Sequence, residues 1–323
     1  MRHWRLRKAD ADPLERDGSS SRGRAAACRI QVGVEAEGDS AGGARDPAHR
    51  ASLCAFQVEV TWRMRVWELG PGRLMVAGTF SDLAVHHHPA VQVAVGTGGA
   101  LRLTRHGDEH EMCRLVVVAS GARHAVRSDS GSAALSLYFG LQTWQGIALN
   151  ALSRSRGQDG GVWVVGAGEE LAETTAASLA TDGACATADF LVRELSRMPD
   201  PGSDEPRSVH PQLRQAIELV SSKVPDHVDV ASVATAVALS PDYLGRLCKQ
   251  QTGVSFSATI RWVRLLTSLR YIADGVPVTD AAHLAGFADG SHANRVCWEM
   301  AGAAPHEFAR ALRDSQFASP TAG

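Results

Sequence analysis

The stretch VATAVALSPDYLGRLCKQ (Val233–Gln250) ends one helix and starts another within three residues. A small-residue apolar segment stops at Ala238-Leu239. Ser240-Pro241 follows, and the pair starts a helix well: the serine hydroxyl satisfies an orphan N–H, and proline at the first position has none to satisfy. Behind it, Tyr243, Leu244, Leu247 and Cys248 fall on one face, which is expected to be buried. Asp242, Gly245, Arg246 and Lys249 fall on the other, and Thr252-Gly253 ends the helix. Asp229 caps the preceding short helix, Val230–Val237, whose Ala231 and Ala234, with Ala238 just beyond, let another backbone approach closely. A restart this tight fixes the angle at which the second helix meets a partner, which is the construction of a helix-turn-helix.

The construction recurs in VTDAAHLAGFADGSHANRVCWEM (Val278–Met300). Ala282 matches Ala234, and Gly286-Phe287 matches Ala238-Leu239. Ala293, Arg295, Val296 and Cys297 match Leu244, Arg246, Leu247 and Cys248, with one extra residue in the turn. Between the copies the pattern predicts one long helix, Phe256–Ala273, with Ile260, Val263, Leu266, Leu269 and Ile272 as its apolar stripe. At 1.5 Å per residue it is about 27 Å long. Two recognition helices held apart in this way suit successive major grooves, roughly 34 Å apart on one DNA face. From Tyr243 to Ala273 there are five basic residues and no acid, while over the whole module the charges nearly balance. Phosphate attraction is therefore local and its salt dependence modest.

The rest of the chain divides by texture. It has 323 residues, net charge −2 and a 44% hydrophobic fraction, the profile of an ordinary globular protein of two domains. No apolar run is long enough to span a bilayer, and the N-terminus lacks the apolar core of a secretory signal, so a cytoplasmic protein with no membrane partner is expected. The six cysteines show no metal or C-x-x-C spacing and read as reduced thiols. Residues 1–63 are polar and Gly/Ser-rich, and are read as a disordered tail or a spurious extension ahead of Met64. Short Val/Leu/Ala runs with turns about every ten residues run from about Val66 to Gln142, the signature of a sandwich or barrel, and an effector-binding domain is expected over 64–150. A helical connector and a Pro/Gly/Asp linker occupy 151–206, all-helical material 207–312, and a second tail 313–323.

The motifs ALSPDYLGRLCKQQTGVSF and AHLAGFADGSHANRVCWEMAGAAPHEF resemble the AraC/XylS family of transcription regulators over about His210 to Arg310. The resemblance implies seven helices carrying two helix-turn-helix units. It places base-reading positions at Asp242, Gly245 and Arg246 in the first unit and at Gly290, Ser291, His292 and Arg295 in the second. It also implies phosphate contacts at Ser240, Lys249 and Arg261. This chain departs from the family pattern at Ala293, Cys248 and Cys297, where the family has Phe, and at Trp298-Glu299, where it has Lys or Arg. The first unit is therefore the stronger reader, and with Gly245 and Gly290 offering only backbone, DNA shape carries more of the specificity.

In the β-rich part, His86, His88 and Gln92 sit at H-x-H-x-x-x-Q spacing, and His124 follows. Alternate strand residues share a face, so His86 and His88 can point together. The pattern resembles the cupin fold, whose metal-binding members place Glu where this chain has Gln92. These four residues are the expected effector site. No cofactor is required, and a divalent metal would find its ligands here. The expected architecture is α+β and multidomain: a cupin-like β-barrel followed by an all-α module with two helix-turn-helix units. The expected function is sequence-specific transcription regulation, activation by resemblance, under a small-molecule effector. Double-stranded DNA and RNA polymerase are its partners, and a homodimer contact is placed on the stripe Phe190, Leu191, Leu195 and Met198. A cupin-type metal-dependent enzyme and a scaffold that does not bind DNA are the alternatives. The missing Glu, the attached helical module and the absence of nucleotide or nucleophile motifs argue against an enzyme.

Overall fold

Strand β3 (Ala90–Gly96) is buried along its whole length, with period-two alternation deciding what each residue meets. Val91, Val93 and Val95 face a helical layer, and Gln92 shares the opposite parity with Ala90 and Ala94. The computed structural model describes residues 64–80, 83–105, 110–198 and 209–316. β3 pairs antiparallel with β8 (Ala134–Gly140) and with β6 (Leu115–Val118). The sheet extends through β2 (Arg73–Gly78) to β1 (Arg65–Glu68) on one side and to β9 (Val162–Val164) on the other. A second sheet joins β5 (His110–Cys113), β4 (Leu101–Thr104) and β7 (Ala125–Ser128).

The expected barrel is corrected here: among the described residues the ladders do not close. β4, β5 and β7 are four residues each, reach about 13 Å, and pair only with one another. The boundary expected at 150/151 also moves. α1 (Trp144–Arg156) runs across it, with Thr143 as N-cap accepting from the Gly146 amide, and β9 then returns to the sheet beside β6. α2 (Gly168–Thr181) and α3 (Gly183–Arg197) complete the layer. Leu191 and Leu195 of α3 are buried, with Phe190 and Met198 packed against the same core. The stripe expected to form a dimer contact is thus covered within the chain.

The C-terminal half is helical: α4 (Pro211–Lys223), α5 (Val230–Ala236), α6 (Pro241–Thr252), α7 (Phe256–Ala273), α8 (Val278–Leu284), α9 (Gly290–Ala301) and α10 (Pro305–Gln316). α10 continues four residues into the stretch expected to be a tail. α7 is buried on more of its surface than one stripe: Trp262, Leu265 and Ser268 are covered, while Val263, Leu266 and Leu269 are only partly so. It packs α8 and α9 on one flank and faces the sheet on the other, so two faces are apolar. A single hydrophobic core runs from Val93 and Leu137 of the sheet through Leu191 to Leu213, Leu244 and Phe256 of the helical half. No described helix is long and apolar enough to cross a membrane. The tail at 1–63 and the linker at 199–206 lie outside the described residues.

Candidate nucleic-acid interface and buried histidine cluster

The two short-helix/long-helix pairs are built alike. α5 and α8 have seven residues each, and α6 and α9 have twelve. Each turn passes through a left-handed residue, Ala238 at φ +55° in the first pair and Gly286 at φ +84° in the second. Ser240 Oγ accepts from the Tyr243 amide at 3.2 Å, and Asp289 Oδ1 accepts from the His292 amide at 2.7 Å. That donor holds the Asp289 carboxyl below its usual titration range. Both longer helices end in a left-handed glycine, Gly253 at φ +77° and Gly302 at φ +71°. The matched residues Ala234 and Ala282, Leu244 and Ala293, Leu247 and Val296, and Cys248 and Cys297 are all buried.

On the outer face of α6, Asp242, Arg246 and Lys249 are exposed and Gly245 is half-buried. Tyr243 is 41% exposed, contrary to expectation: its ring lies 6.0 Å from the Arg246 guanidinium, three residues on along the same helix surface. Ser240 is exposed at the helix start, and Lys249 Nζ donates to the Gly253 carbonyl at 2.7 Å. On α9, Ser291 and Arg295 are exposed, Gly290 is half-buried, and His292 stands edge-on to Phe287. Arg261, expected as a phosphate contact, is turned toward the protein. Its guanidinium makes a two-pronged pair with Glu299, Nη1–Oε2 at 3.0 Å and Nη2–Oε1 at 3.1 Å. The same Glu299 that replaces a basic family residue thus neutralises a second basic group.

The fold also brings His86, His88, Gln92 and His124 together, all buried. One ring nitrogen from each histidine lies within 4.8 Å of the others. Nδ1 of each ring donates to a backbone carbonyl two residues away: His86 to Ala84 at 2.9 Å, His88 to Ala90 at 3.0 Å and His124 to Ala122 at 2.9 Å. A carbonyl can only accept, so each Nδ1 carries the hydrogen and each Nε2 a lone pair. Burial lowers the His86 pKa to about 4 and the His88 pKa to about 3, and drives His124 well below the ordinary value. All three rings are therefore neutral near pH 7. Gln92 Oε1 lies 3.2 Å from His88 Nε2 and 2.7 Å from His124 Nε2, and its amide nitrogen donates to Ser136 Oγ.

The cluster does not line the large cavity beside the sheet. That cavity, about 870 Å³, opens between the sheet and α7 and includes Tyr138, Trp262, Val263 and Leu266. Arg73 and Arg270 stand in its wall, where Arg73 pairs with Asp189 and Arg270 with Glu68, each at 3.5 Å. Trp262 and Tyr138 separate the cavity from the histidines, Trp262 stacking on His88 with ring centroids 5.0 Å apart. The expected effector residues thus sit behind the cavity wall. The cavity itself went unread, because its lining comes from α4, α7, β1, β2 and β8, and no local pattern marks such a set.

A family model described as a helix-turn-helix domain matches residues 233–311. The arabinose operon regulatory protein of Salmonella typhimurium is 34% identical over 111 residues, which is 31% of this chain and 38% of that protein. Its Escherichia coli counterpart is 33% identical over 111 residues, 31% of this chain and 37% of that protein. The match therefore spans well under half of either relative. Among solved structures, an apo ToxT variant from Vibrio cholerae superposes with a TM-score of 0.52 at 15% identity, over 75% of this chain and 98% of that one. ToxT bound to (E)-4-(8-methylnaphthalen-1-yl)but-3-enoic acid gives a TM-score of 0.50 at 15% identity, over 75% and 99%. The fold is therefore shared along most of the described length, and the sequence along the helical repeat. Along that repeat the chain is similar to the two arabinose operon regulatory proteins and carries the helix-turn-helix domain of the matching family model.

Proposed function

We propose that the chain is a sequence-specific DNA-binding transcription regulator whose DNA affinity answers to a small molecule. The duplicated pair of capped helices carries this reading: α6 and α9 have the same length, the same left-handed glycine end, and a polar outer face. Each pair acts as a helix-turn-helix, with α6 and α9 in successive major grooves. Asp242, Gly245 and Arg246 face one set of bases, and Gly290, Ser291, His292 and Arg295 the other. Ser240 and Lys249 bind flanking phosphates, Lys249 exchanging the Gly253 carbonyl for DNA. Arg261 joins them only when Glu299 releases it. RNA polymerase is the partner for activation. A homodimer, if formed, uses a surface other than the covered stripe of α3.

The effector reading moves from the histidines to the 870 Å³ cavity. Its apolar lining with Arg73 and Arg270 suits an apolar molecule bearing a carboxylate. The ToxT structure with a naphthyl butenoic acid supports that chemical class. Such a ligand lies between the sheet and α7, where it biases how the two halves sit. The matched relatives are regulatory proteins, which favours regulation over a metal-dependent enzyme.

Selection of bound duplexes from random DNA, with the full chain and Arg246→Ala side by side, tests the reading. The expected result is two boxes about one helical turn apart. In the variant one box loses information, and affinity for the selected site falls by about 1–3 kcal/mol. Absence of any enriched sequence overturns sequence-specific regulation.

A further inference from the structure

The ends of both proposed recognition helices rest on two loops of the β-rich half. The Ala84 amide donates to the Gly302 carbonyl at 2.8 Å and the His87 amide to the Glu299 carbonyl at 3.3 Å, so residues 83–89 hold the end of α9. Ser120 Oγ donates to the Thr252 carbonyl at 2.8 Å, and the Ser120 carbonyl accepts from Arg154 Nη2 at 2.8 Å, so residues 119–124 hold the end of α6. Both contacts are close. A Cβ on Gly302 would stand 2.7 Å from His86 Nδ1, and one on Gly121 3.0 Å from the Thr252 carbonyl oxygen. The two loops meet at His86 and His124, which exchange backbone hydrogen bonds at 2.9 and 3.0 Å. Their seam therefore lies between the ends of the two helices.

Alternation along that bridge sets what the seam shows to solvent. His86 and His124 pair across it with both rings buried. The next residues, His87 and Arg123, stand on the other face, His87 half-buried and Arg123 exposed. The charges that act on His87 are those of Glu299, Arg123, Lys249 and Arg261, so the seam gathers charged groups from one loop, from α6, from α7 and from α9. Burial lowers the His87 pKa below its ordinary value, and the ring adds no charge near pH 7. Arg261 and Glu299 neutralise one another in their two-pronged pair. Arg123 and Lys249 remain. Among the described residues no carboxylate pairs with Arg123, and Lys249 donates to the Gly253 carbonyl. Lys249 stands three residues beyond Arg246 on the outer face of α6, so the basic patch continues the proposed reading face.

Two helices that enter successive major grooves from one side leave the intervening minor groove, with the phosphates on its rims, facing the protein between them. We infer that Arg123, a residue of the β-rich half, joins Lys249 in binding those phosphates, so that the DNA-binding surface is built from both halves of the chain. The inference rests on the DNA-binding reading. A phosphate contact carries no sequence information, so Arg123 sets affinity and leaves the selected sequence unchanged. The full chain and its variants are measured on the selected duplex and on random-sequence duplex over a salt series. Arg123→Ala is expected to weaken binding several-fold on both, with the slope of log affinity against log salt shallower by about one. Arg123→Lys restores affinity and slope. Arg193→Ala removes the same charge from an exposed position on α3 and reads the effect of net charge alone. Neutral methylphosphonate linkages between the two boxes are expected to abolish the difference between the unaltered chain and Arg123→Ala. A slope for Arg123→Ala equal to that for Arg193→Ala overturns the inference, and so does a difference that survives the neutral linkages. If that happens while the unaltered chain still selects its two boxes, the regulator reading stands without this contact. If no sequence is selected but random-sequence duplex binds with a slope that depends on Arg123, the contact stands and the regulator reading fails. No binding to any duplex overturns both.

Discussion

At the scale of single residues, Glu299 decides how much positive charge the helical half offers. An exposed Arg261 would be a phosphate contact; with both prongs on Glu299 it is half-buried and neutralised. Glu299→Gln removes the charge and keeps the shape. The variant is expected to bind random-sequence DNA several-fold more tightly, with the slope of log affinity against log salt steeper by about one. Filter binding over a salt series reads this, and an unchanged slope would show that Arg261 cannot reach DNA. The family resemblance marks Glu299 as a departure, but the identity of its partner depends on α7 lying beside α9. That placement is set by packing around Trp262, Val296 and Met300, and not by local sequence.

At the scale of elements, the two turns solve one steric problem with different residues. Both cross the left-handed region, where a Cβ costs about 1–2 kcal/mol. Ala238 bears that strain and Gly286 avoids it. A Cβ on Gly286 would also meet the Pro225 carbonyl oxygen at 2.8 Å. Gly286→Ala is therefore expected to lose more than about 1–2 kcal/mol, since the clash adds to the dihedral strain. Ala238→Gly gains at most about 1 kcal/mol, because glycine's extra freedom in the unfolded chain offsets part of the relief. Urea denaturation of the two variants checks both signs. Equal effects at the two turns would mean that they are not equivalent conformations. The caps behave similarly: Ser240 and Asp289 each occupy an N-terminal donor, the first expected from the sequence and the second shown by the structure.

At the scale of the whole molecule, the continuity of the core matters most. Leu137 and Val93 of the sheet share one buried cluster with Leu213, Leu244 and Phe256. Halves joined by a core of this kind unfold together. Calorimetry of the full chain is expected to show a single transition whose calorimetric and van't Hoff enthalpies agree. Two separated transitions would show that the halves are independent domains joined by a thin interface. Through shared packing, α7 forms part of the cavity wall and of the bed for α8 and α9, so the proposed ligand would act on both.

The sequence by itself determined the local features. These are the two helix restarts at Ser240 and near Asp289, the extent of α7, the strand-rich texture from Val66 to Gln142, and the outward face of Arg246. Each follows from periodicity, capping or turn chemistry acting within a few residues. Tertiary structure decided what depends on distant chain segments. It left the sheets open where a barrel was expected, turned α1 and β9 into parts of the β-rich half, and covered the α3 stripe. It also turned Arg261 inward, placed a cavity between the halves, and set Trp262 between that cavity and the histidines. The spacing of His86, His88 and Gln92 is written in one strand and the loop before it. The meeting of His88 and His124 at Gln92, with His86 beside them, is fixed by backbone carbonyls and burial, which no one-dimensional pattern records.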